Sequence, residues 1–300
     1  MNSHRLILGA NSFYGVSHFS NDRAREKSSQ MYPDKIADVM ATAFESGATG
    51  FNFVPHQIIE AALSNLRKSG YTPAISLYPM LPDTRTYANT QLRSGTLGLA
   101  RLFLSDIGAA GRVKSVIQGG LSWLAADPFR ALRSYLDIEV SKLHDITLPE
   151  FSIDAILMHE IVTDIMVALK LEELAVVYIE QLRDKQKVVP GFVTRNLPKF
   201  LQFFEEFGLP IDDVMIMTPF NKVGFQMAPS KSACENALKL YRPRNVVGMS
   251  ILAAGRVDLG EAIKYVKAIG LDSVCVGVST NAQAKETFCT LRKELFAKPF

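Results

Sequence analysis

His159 stands where an imidazole could do proton chemistry. It follows four consecutive apolar residues, Ala155 to Met158, in the segment SIDAILMHEI, and a carboxylate, Glu160, comes next. A histidine side chain donates a hydrogen bond or exchanges a proton near neutral pH. Because a short apolar run predicts a buried strand, we expect the imidazole at the strand end and partly enclosed. The segment therefore predicts His159 as a pocket residue.

Polar residues also follow the other apolar runs of the chain, and they form the wider set of candidates. They are Asn11, Ser12, Tyr14, Asn52, His56, Gln57, Glu60, Tyr78, Thr194, Arg195, Asn196, Thr218, Asn221, Lys222, Ser250, Ser279 and Thr280. Several have a structural alternative. Asn52 could make only a structural hydrogen bond, His56 could be an exposed loop residue, and Glu60 could simply oppose a helix dipole. Arg195 and Lys222 could be solvated loop charges.

Eight short apolar runs supply the strands that would position these residues. They span 5–10, 50–54, 73–78, 154–159, 188–193, 214–218, 246–250 and 273–278. Continuous apolar strands are typical of a parallel sheet covered by helices, and amphipathic segments at 33–47, 196–208, 257–270 and 280–295 predict such helices. The repeat predicts an α/β protein, a closed (β/α)8 barrel forming one domain over residues 1–300. In that fold, active sites lie at the carboxyl ends of the strands.

The interval between the third and fourth strands is about twice as long as a normal unit. We expect extra helices inserted over about 80–150, among them a helical run at 96–107 and a long helix from about 127 to 144. The segment VKSVIQGG, residues 113–120, leaves an alternative open. In that alternative it is itself a barrel strand, and one of the eight runs is not.

The seventh and eighth strands run into small residues and then into helices, in GMSILAAGR and VGVSTNAQAKE. Small residues let backbone amides approach an anion, and loops at these positions often bind phosphate. The residues expected there are Ser250, Leu252, Gly255, Gly277, Ser279, Thr280 and Lys285. The alternative is an ordinary strand-to-helix turn with Thr280 or Asn281 as the N-cap. The chain contains no GxGxxG or P-loop motif, which argues against those nucleotide sites.

Composition excludes several classes of function. With 33 basic against 30 acidic residues, the net charge of +3 does not indicate a nucleic-acid partner. Three cysteines without metal-ligand spacing suit a reduced, cytoplasmic protein, and metal catalysis is not predicted. The apolar stretch near the N-terminus predicts a first strand and not a secretion signal, and no run is long enough to span a membrane.

Taken in order, several segments resemble the aldo-keto reductase family. NFVPHQIIEAAL occupies the place of the family's strand-two Asp-Thr-Ala, Tyr-Gly and glutamate, and DAILMHE has the family's strand-four spacing of aspartate and histidine. GFVTRN, SILAAG and VGVSTNAQAKET are similar to the segments at strands five, seven and eight. The resemblance covers most of the chain outside about 80–150. It implies a (β/α)8 barrel that reduces carbonyls with NADPH.

The family's Asp-Tyr-Lys-His tetrad is only partly matched. His159 stands at the histidine position, Asn52 at the aspartate position, and Gln57, or His56 with a slip of one residue, at the tyrosine position. No cation is found at the lysine position near 77–79, where Tyr78 is the candidate phenol. The resemblance implies that cofactor contacts come from Thr194, Asn196, Ser250, Leu252, Gly255, Gly277, Ser279, Thr280 and Lys285.

Three functional hypotheses follow. The first is an oxidoreductase that binds NADP(H), with an altered catalytic set around His159 and with His56 as the substitute proton donor. The second is a lyase or isomerase acting on a small phosphorylated substrate, with His159 and Glu160 or His56 exchanging protons and Lys222 or Arg195 holding an anion. The third is a homologue that binds a small-molecule ligand without catalysis. The sequence does not predict an oligomeric state.

Overall fold

A closed parallel barrel forms the centre of the computed structural model, which describes residues 5–14, 32–71, 74–82, 128–146 and 151–296. Its strands are β1 (Arg5–Gly9), β2 (Gly50–Phe53), β3 (Ile75–Leu81), β4 in two parts (Phe151–Ile153 and Ala155–Met158), β5 (Val189–Val193), β6 (Met215–Pro219), β7 (Val246–Met249) and β8 (Ser273–Gly277). Each strand pairs in parallel with the next, and β1 closes the ring on β8 through Ile7 opposite Cys275. The predicted (β/α)8 barrel is confirmed.

The two parts of β4 act as one strand that is interrupted at Asp154. Ile75 of β3 lies opposite Phe151 of the first part, and Met80 lies opposite Leu157 of the second. Asp154 N still donates to Leu77 O at 3.2 Å, and Val189 N donates to Asp154 O at 3.2 Å. The hydrogen bonding between neighbouring strands therefore continues through the interruption, and the barrel keeps eight strands.

The third strand extends beyond the predicted span of 73–78. It runs over Ile75–Leu81, because Met80 and Leu81 continue the buried apolar pattern after Pro79. The expectation that Tyr78 stands at the end of this strand is therefore wrong. Residues 113–120 and the helical run predicted at 96–107 lie outside the described residues.

Helices cover the outside of the barrel. They are α1 (Pro33–Glu45), α2 (Gln57–Lys68), α3 (Pro128–Ile146), α4 (Glu160–Ala168), α5 (Glu172–Glu180), α6 (Leu197–Glu206), α7 (Lys231–Tyr241), α8 (Leu259–Ile269) and α9 (Asn281–Phe296). Their ends follow local chemistry. Asp258 caps α8 by accepting from Glu261 N at 2.9 Å, and Gly270 ends that helix with a φ of 78°. The helices predicted at 33–47, 127–144, 196–208, 257–270 and 280–295 are confirmed.

Apolar side chains fill the barrel interior and leave polar chemistry to its two ends. The interior set is Ile7, Val54, Tyr78, Met80, Ala155, Leu157, Val193, Met215, Met217, Val247 and Cys275. Burial raises the pKa of the Cys275 thiol to about 12, so this cysteine is a packing residue. A separate and larger core lies between the strands and the helices. As in other barrels of this kind, the interior is a packed core and not a pore.

Candidate functional site

His159 lies at the carboxyl end of β4 and is the N-cap of α4. Its backbone N–H donates to Leu81 O at 2.7 Å, which ties it to the end of β3. Its Nδ1 accepts from Ile161 N at 3.2 Å. Because Nδ1 must present its lone pair to that N–H, the neutral ring carries its proton on Nε2. The half-buried imidazole thus lies at the strand ends of the barrel, as its position in the sequence predicts, and its cap bond orients it as an Nε2–H donor.

His56 repeats this arrangement at the end of β2. It caps α2, and its Nδ1 accepts from Ile58 N at 3.3 Å. Its ring meets the Tyr14 ring edge-on, with the centroids 5.9 Å apart. Unlike His159, it is exposed, and Gln57 beside it is exposed as well. Glu60 lies in the first turn of α2, where its charge opposes the helix dipole.

The capping role of both histidines was missed from the sequence. The signal that could have shown it is a histidine directly before an acidic or amide residue and an amphipathic run, as in HQIIEAAL and HEIVTDIM. That pattern is typical of an N-cap, although serine, threonine, aspartate and asparagine are the commoner capping residues.

Asn52 projects into the barrel near its carboxyl end. Its Nδ2 donates to Tyr78 O on the neighbouring strand at 2.8 Å. Its Oδ1 has no hydrogen-bond partner within the part of the chain that the structure describes. Asn52 therefore makes the structural hydrogen bond considered from the sequence and keeps an acceptor that no described residue uses.

Tyr78 is buried inside the barrel, with its hydroxyl group turned away from the strand ends. The hydroxyl donates to Asp154 Oδ2 at 3.5 Å, at the interruption of β4. The ring fills space left by Gly50, where an added Cβ would lie 2.5 Å from Tyr78 Cε2. Burial, and then the Asp154 charge, raise the pKa of the phenol. The structure does not bring this hydroxyl together with His159.

Residues after β1 join that strand to its neighbours. The Tyr14 hydroxyl donates to Val54 O at 2.6 Å and accepts from Val54 N at 3.0 Å. Ser12 Oγ donates to Val278 O at 2.6 Å, and Asn11 is exposed. Tyr14 and Ser12 therefore hold the ends of β2 and β8 beside the end of β1.

Thr194 follows β5 and points out of the barrel toward α4. Its Oγ1 donates to Asp164 Oδ1 at 2.6 Å and accepts from Asn196 N at 3.0 Å. Asn196 is the N-cap of α6, with Oδ1 accepting from Lys199 N at 3.3 Å. The Thr194 hydroxyl and Asn196 Oδ1, both expected to contact a cofactor, are thus used by the strand-to-helix connection. Arg195 Nη2 donates to Glu160 Oε1 at 2.5 Å.

The candidates after β6 serve the following loop. The Asn221 side chain pairs with the backbone of Phe225, donating to its O at 2.8 Å and accepting from its N at 2.7 Å. Lys222 forms an ion pair with Glu261 at 2.5 Å. Thr218 is buried, and its hydroxyl has no partner within the described ranges. This group of candidates therefore organises the connection from β6 to α7.

The loop after β7 contains a run of left-handed residues. Ser250, Ala253, Ala254 and Gly255 have φ values of 54°, 46°, 59° and 83°. Only the last of these is a glycine, so the other three store backbone strain, a feature that clusters at functional sites. Several amides in the loop bond internally, among them Ala253 N to Ser250 O at 2.8 Å and Gly255 N to Leu252 O at 2.8 Å. The small residues predicted to approach an anion do form a tightly turned loop.

The segment after β8 begins α9 with a capping pair. Thr280 Oγ1 accepts from Gln283 N at 3.2 Å, and Gln283 Oε1 accepts from Ser279 N at 3.0 Å. The N-cap alternative considered for Thr280 is therefore observed. Gly277 is exposed at the strand end, and an added Cβ would meet no atom closer than 3.4 Å. Lys285 is exposed on the first turns of α9.

Asp164, which accepts a hydrogen bond from the Thr194 hydroxyl, allows a prediction of how stability depends on pH. Burial raises the pKa of Asp164, although the hydrogen bonds from Thr194 and the Arg195 N–H act in the opposite direction. Between its unfolded and its raised folded pKa, the folded state binds more protons, so stability falls as pH rises through this interval. Relative to Asp164→Asn, the wild-type protein should therefore lose free energy of unfolding as the pH rises above about 4, the ordinary pKa of an aspartate, as measured by urea unfolding. If the free energy of unfolding of the wild type instead rises with pH relative to that of Asp164→Asn, the raised pKa of Asp164 is contradicted.

Within the described ranges, no group of three or more histidine, cysteine or acidic side chains is arranged to hold a metal ion. Among the same residues, no helix is both long and apolar enough to cross a membrane. All three cysteines are free thiols.

Comparison with solved structures finds matches among the aldo-keto reductases. An aldo/keto reductase from Brucella melitensis matches with a TM-score of 0.51 at 14% identity, over 94% of this chain and 86% of that one. A protein from Pseudomonas aeruginosa assigned as an aldo-keto reductase gives 0.51 at 12% identity, over 97% and 90%. One assigned as a 2,5-diketo-D-gluconic acid reductase B gives 0.52 at 13% identity, over 95% and 80%. No family model and no curated protein matches the sequence. In its fold, the chain is similar to the aldo-keto reductases.

Proposed function

We propose that the chain is an oxidoreductase that uses NADP(H) to interconvert a carbonyl compound and its alcohol at the carboxyl end of the barrel. The observation that carries the proposal is the placement of His159. It ends β4, and its Nδ1 is engaged by α4, so Nε2 is the hydrogen-bond donor. Such a donor stabilises the negative charge that develops on a carbonyl oxygen during reduction.

Residues of the chain itself bind the substrate oxygen, donate the proton and orient the substrate. When bound, a reduced nicotinamide supplies the hydride that goes to the carbonyl carbon. His159 Nε2–H holds the oxygen as the carbon–oxygen π bond breaks. Protonation of His56 on Nδ1 breaks its hydrogen bond from Ile58 N, and the imidazolium then passes its Nε2 proton to that oxygen and becomes the neutral Nδ1–H form. Asn52 Oδ1 accepts a hydrogen bond from the substrate or the carboxamide and so orients it.

Residues after β7 and β8 fit the phosphate end of such a cofactor. The left-handed run at 253–255 carries only alanine and glycine side chains, and Gly277 leaves open space at the strand end. α9 directs its positive end toward this region, with Lys285 on its first turns. If the Ser279 N–H were to bind phosphate, its hydrogen bond to Gln283 would open. The N–H groups of 281 and 282 precede the first turn of helical hydrogen bonding, so they could bind phosphate without breaking a helical bond.

The experiment is a fluorescence titration of the purified chain with NADPH and NADH. We expect NADPH to bind, and Lys285→Gln to weaken NADPH by about tenfold with a smaller effect on NADH, because one charge-assisted contact to the extra phosphate is lost. Lys293→Gln is the matched control, since it removes the same charge from a later exposed position of α9.

Binding of neither nucleotide would overturn the proposal. If inorganic phosphate binds at the ends of β7 and β8 while both nucleotides fail, the lyase or isomerase acting on a phosphorylated substrate becomes the better interpretation. Equal effects of Lys285→Gln and Lys293→Gln would remove Lys285 from the cofactor site.

A further inference from the structure

A cleft of about 450 Å³ opens on the outer surface of the barrel between α4 and α6. Asp164 and Val167 line its α4 side, and Lys199 and Phe203 line its α6 side. Thr194 shows that the cleft lies outside the barrel, because its hydroxyl leaves β5 on the outer face to reach Asp164. The cleft is therefore separate from the strand-end site of the proposed function.

The acidic side chains of this cleft are already paired within the protein. Asp164 accepts from Thr194 Oγ1 at 2.6 Å and from Arg195 N at 3.3 Å. Glu206 forms an ion pair with Lys170 at 2.5 Å. With its carboxylates paired in this way, the cleft offers little attraction to a cationic ligand.

The cationic side chains retain donors. Arg195 uses Nη2 for Glu160, but its Nε is buried and has no hydrogen-bond partner among the described residues. A buried donor without a partner costs free energy. Because Arg195 lines the cleft, this N–H gains a partner when the guanidinium turns to meet an acceptor there. Lys199 is exposed and has no ion pair within the described part of the chain.

The start of α6 does not supply the missing acceptor. Asn196 Oδ1 is used by Lys199 N. Pro198 has no N–H. The cationic donors that remain for a ligand include Arg195 Nε and Lys199 Nζ, and the side-chain amides of Asn196 and Gln202 also line the cleft.

We infer that this cleft binds a small oxyanion, the carboxylate or phosphate group of a metabolite, between Arg195 Nε and Lys199 Nζ. Guanidinium and ammonium groups bind such oxygens by charge-assisted hydrogen bonds. The remainder of the ligand lies against the apolar side chains of Val167 and Phe203. The inference does not depend on the proposed oxidoreductase function, because no residue of the strand-end site contributes to it.

Calorimetric titration of the full chain at constant ionic strength tests the inference. The probes are inorganic phosphate, succinate as a carboxylate, and sodium chloride as the ionic control. We expect phosphate or succinate to bind, and whichever is tighter identifies the class of ligand. Lys199→Gln should weaken that binding by about tenfold, since it removes one charge-assisted contact. Arg195→Lys should weaken it similarly while keeping a cation beside Glu160.

Two variants control the result. Lys68→Gln removes a lysine charge at the exposed end of α2 and should leave binding unchanged. His159→Asn should also leave it unchanged, which separates this cleft from the strand-end site. Equal affinities in the wild type, Lys199→Gln and Arg195→Lys, or no heat with phosphate or succinate beyond that with sodium chloride, would overturn the inference.

Discussion

Replacement of His159 by asparagine is expected to lower kcat for carbonyl reduction by about 100- to 1,000-fold, the range for loss of one donor to a developing oxyanion. Asparagine is among the best N-cap residues, so it can still accept a hydrogen bond from the first turn of α4. The melting temperature and the Kd for NADPH should therefore stay close to those of the wild type. The measurement is steady-state reduction of a panel of aldehydes and ketones, with a thermal melt of each variant.

Two further variants separate catalysis from capping. His159→Ala removes both the imidazole and the cap, so it should lose the same activity and also about 1 kcal/mol of stability. His56→Asn keeps the cap of α2 and tests the proton donor. Loss of this donor should lower kcat by less than about 10,000-fold, and the size of the decrease should depend on pH. Unchanged kcat in His159→Asn, or no turnover of the panel by the wild type, would contradict the assigned role.

Replacement of Phe192 by alanine is expected to cost about 3–5 kcal/mol of unfolding free energy, the range for an aromatic side chain removed from a core. Phe192 is fully buried on the outer face of β5. Its ring centroid lies 5.2 Å from that of Tyr178, 5.4 Å from Phe200 and 5.5 Å from Phe204. One truncation thus opens a cavity that three rings from α5 and α6 cannot close without leaving the barrel wall. Urea unfolding followed by circular dichroism measures the change.

Phe207→Ala is the matched control for this prediction. Phe207 stands just after α6, is only half-buried, and contacts Phe203 with a centroid separation of 5.1 Å. Because water already reaches its site, its truncation should cost much less than that of Phe192. Similar losses in the two variants would show that the cluster around Phe192 is not the stabilising core inferred from its packing.

Local patterns predicted most of the barrel. Each apolar run that became a strand is buried by both the interior and the helices, so it needs no alternation and is recognisable from composition alone. Strand ends were less predictable. Pro79 has no backbone N–H, yet β3 continues through it to Leu81, because Met80 and Leu81 are buried against β4. That pairing involves residues almost 80 positions away and leaves no local signal.

The candidate site shows the same division. The position of His159 followed from an apolar run and a barrel rule, and its placement agrees. The side-chain directions of Tyr78 and Thr194 could not be predicted from the sequence. A residue near a strand end can face the barrel interior or the helices, and a shift of one residue reverses the direction. Tyr78 turns toward Asp154, and Thr194 turns toward Asp164.

The sequence by itself determined the order of strands and helices, the barrel, and the position of His159 after the fourth strand. Those features depend on hydrophobic periodicity and on local capping chemistry, which neighbouring residues carry. Only the tertiary structure decided that both histidines present Nε2 and that the Thr194 hydroxyl and Asn196 Oδ1 serve the protein's own connections. It also decided that Arg195 Nε has no partner among the described residues. Those features depend on which distant atoms meet across strands and helices, and such meetings are set by the packing of the whole barrel.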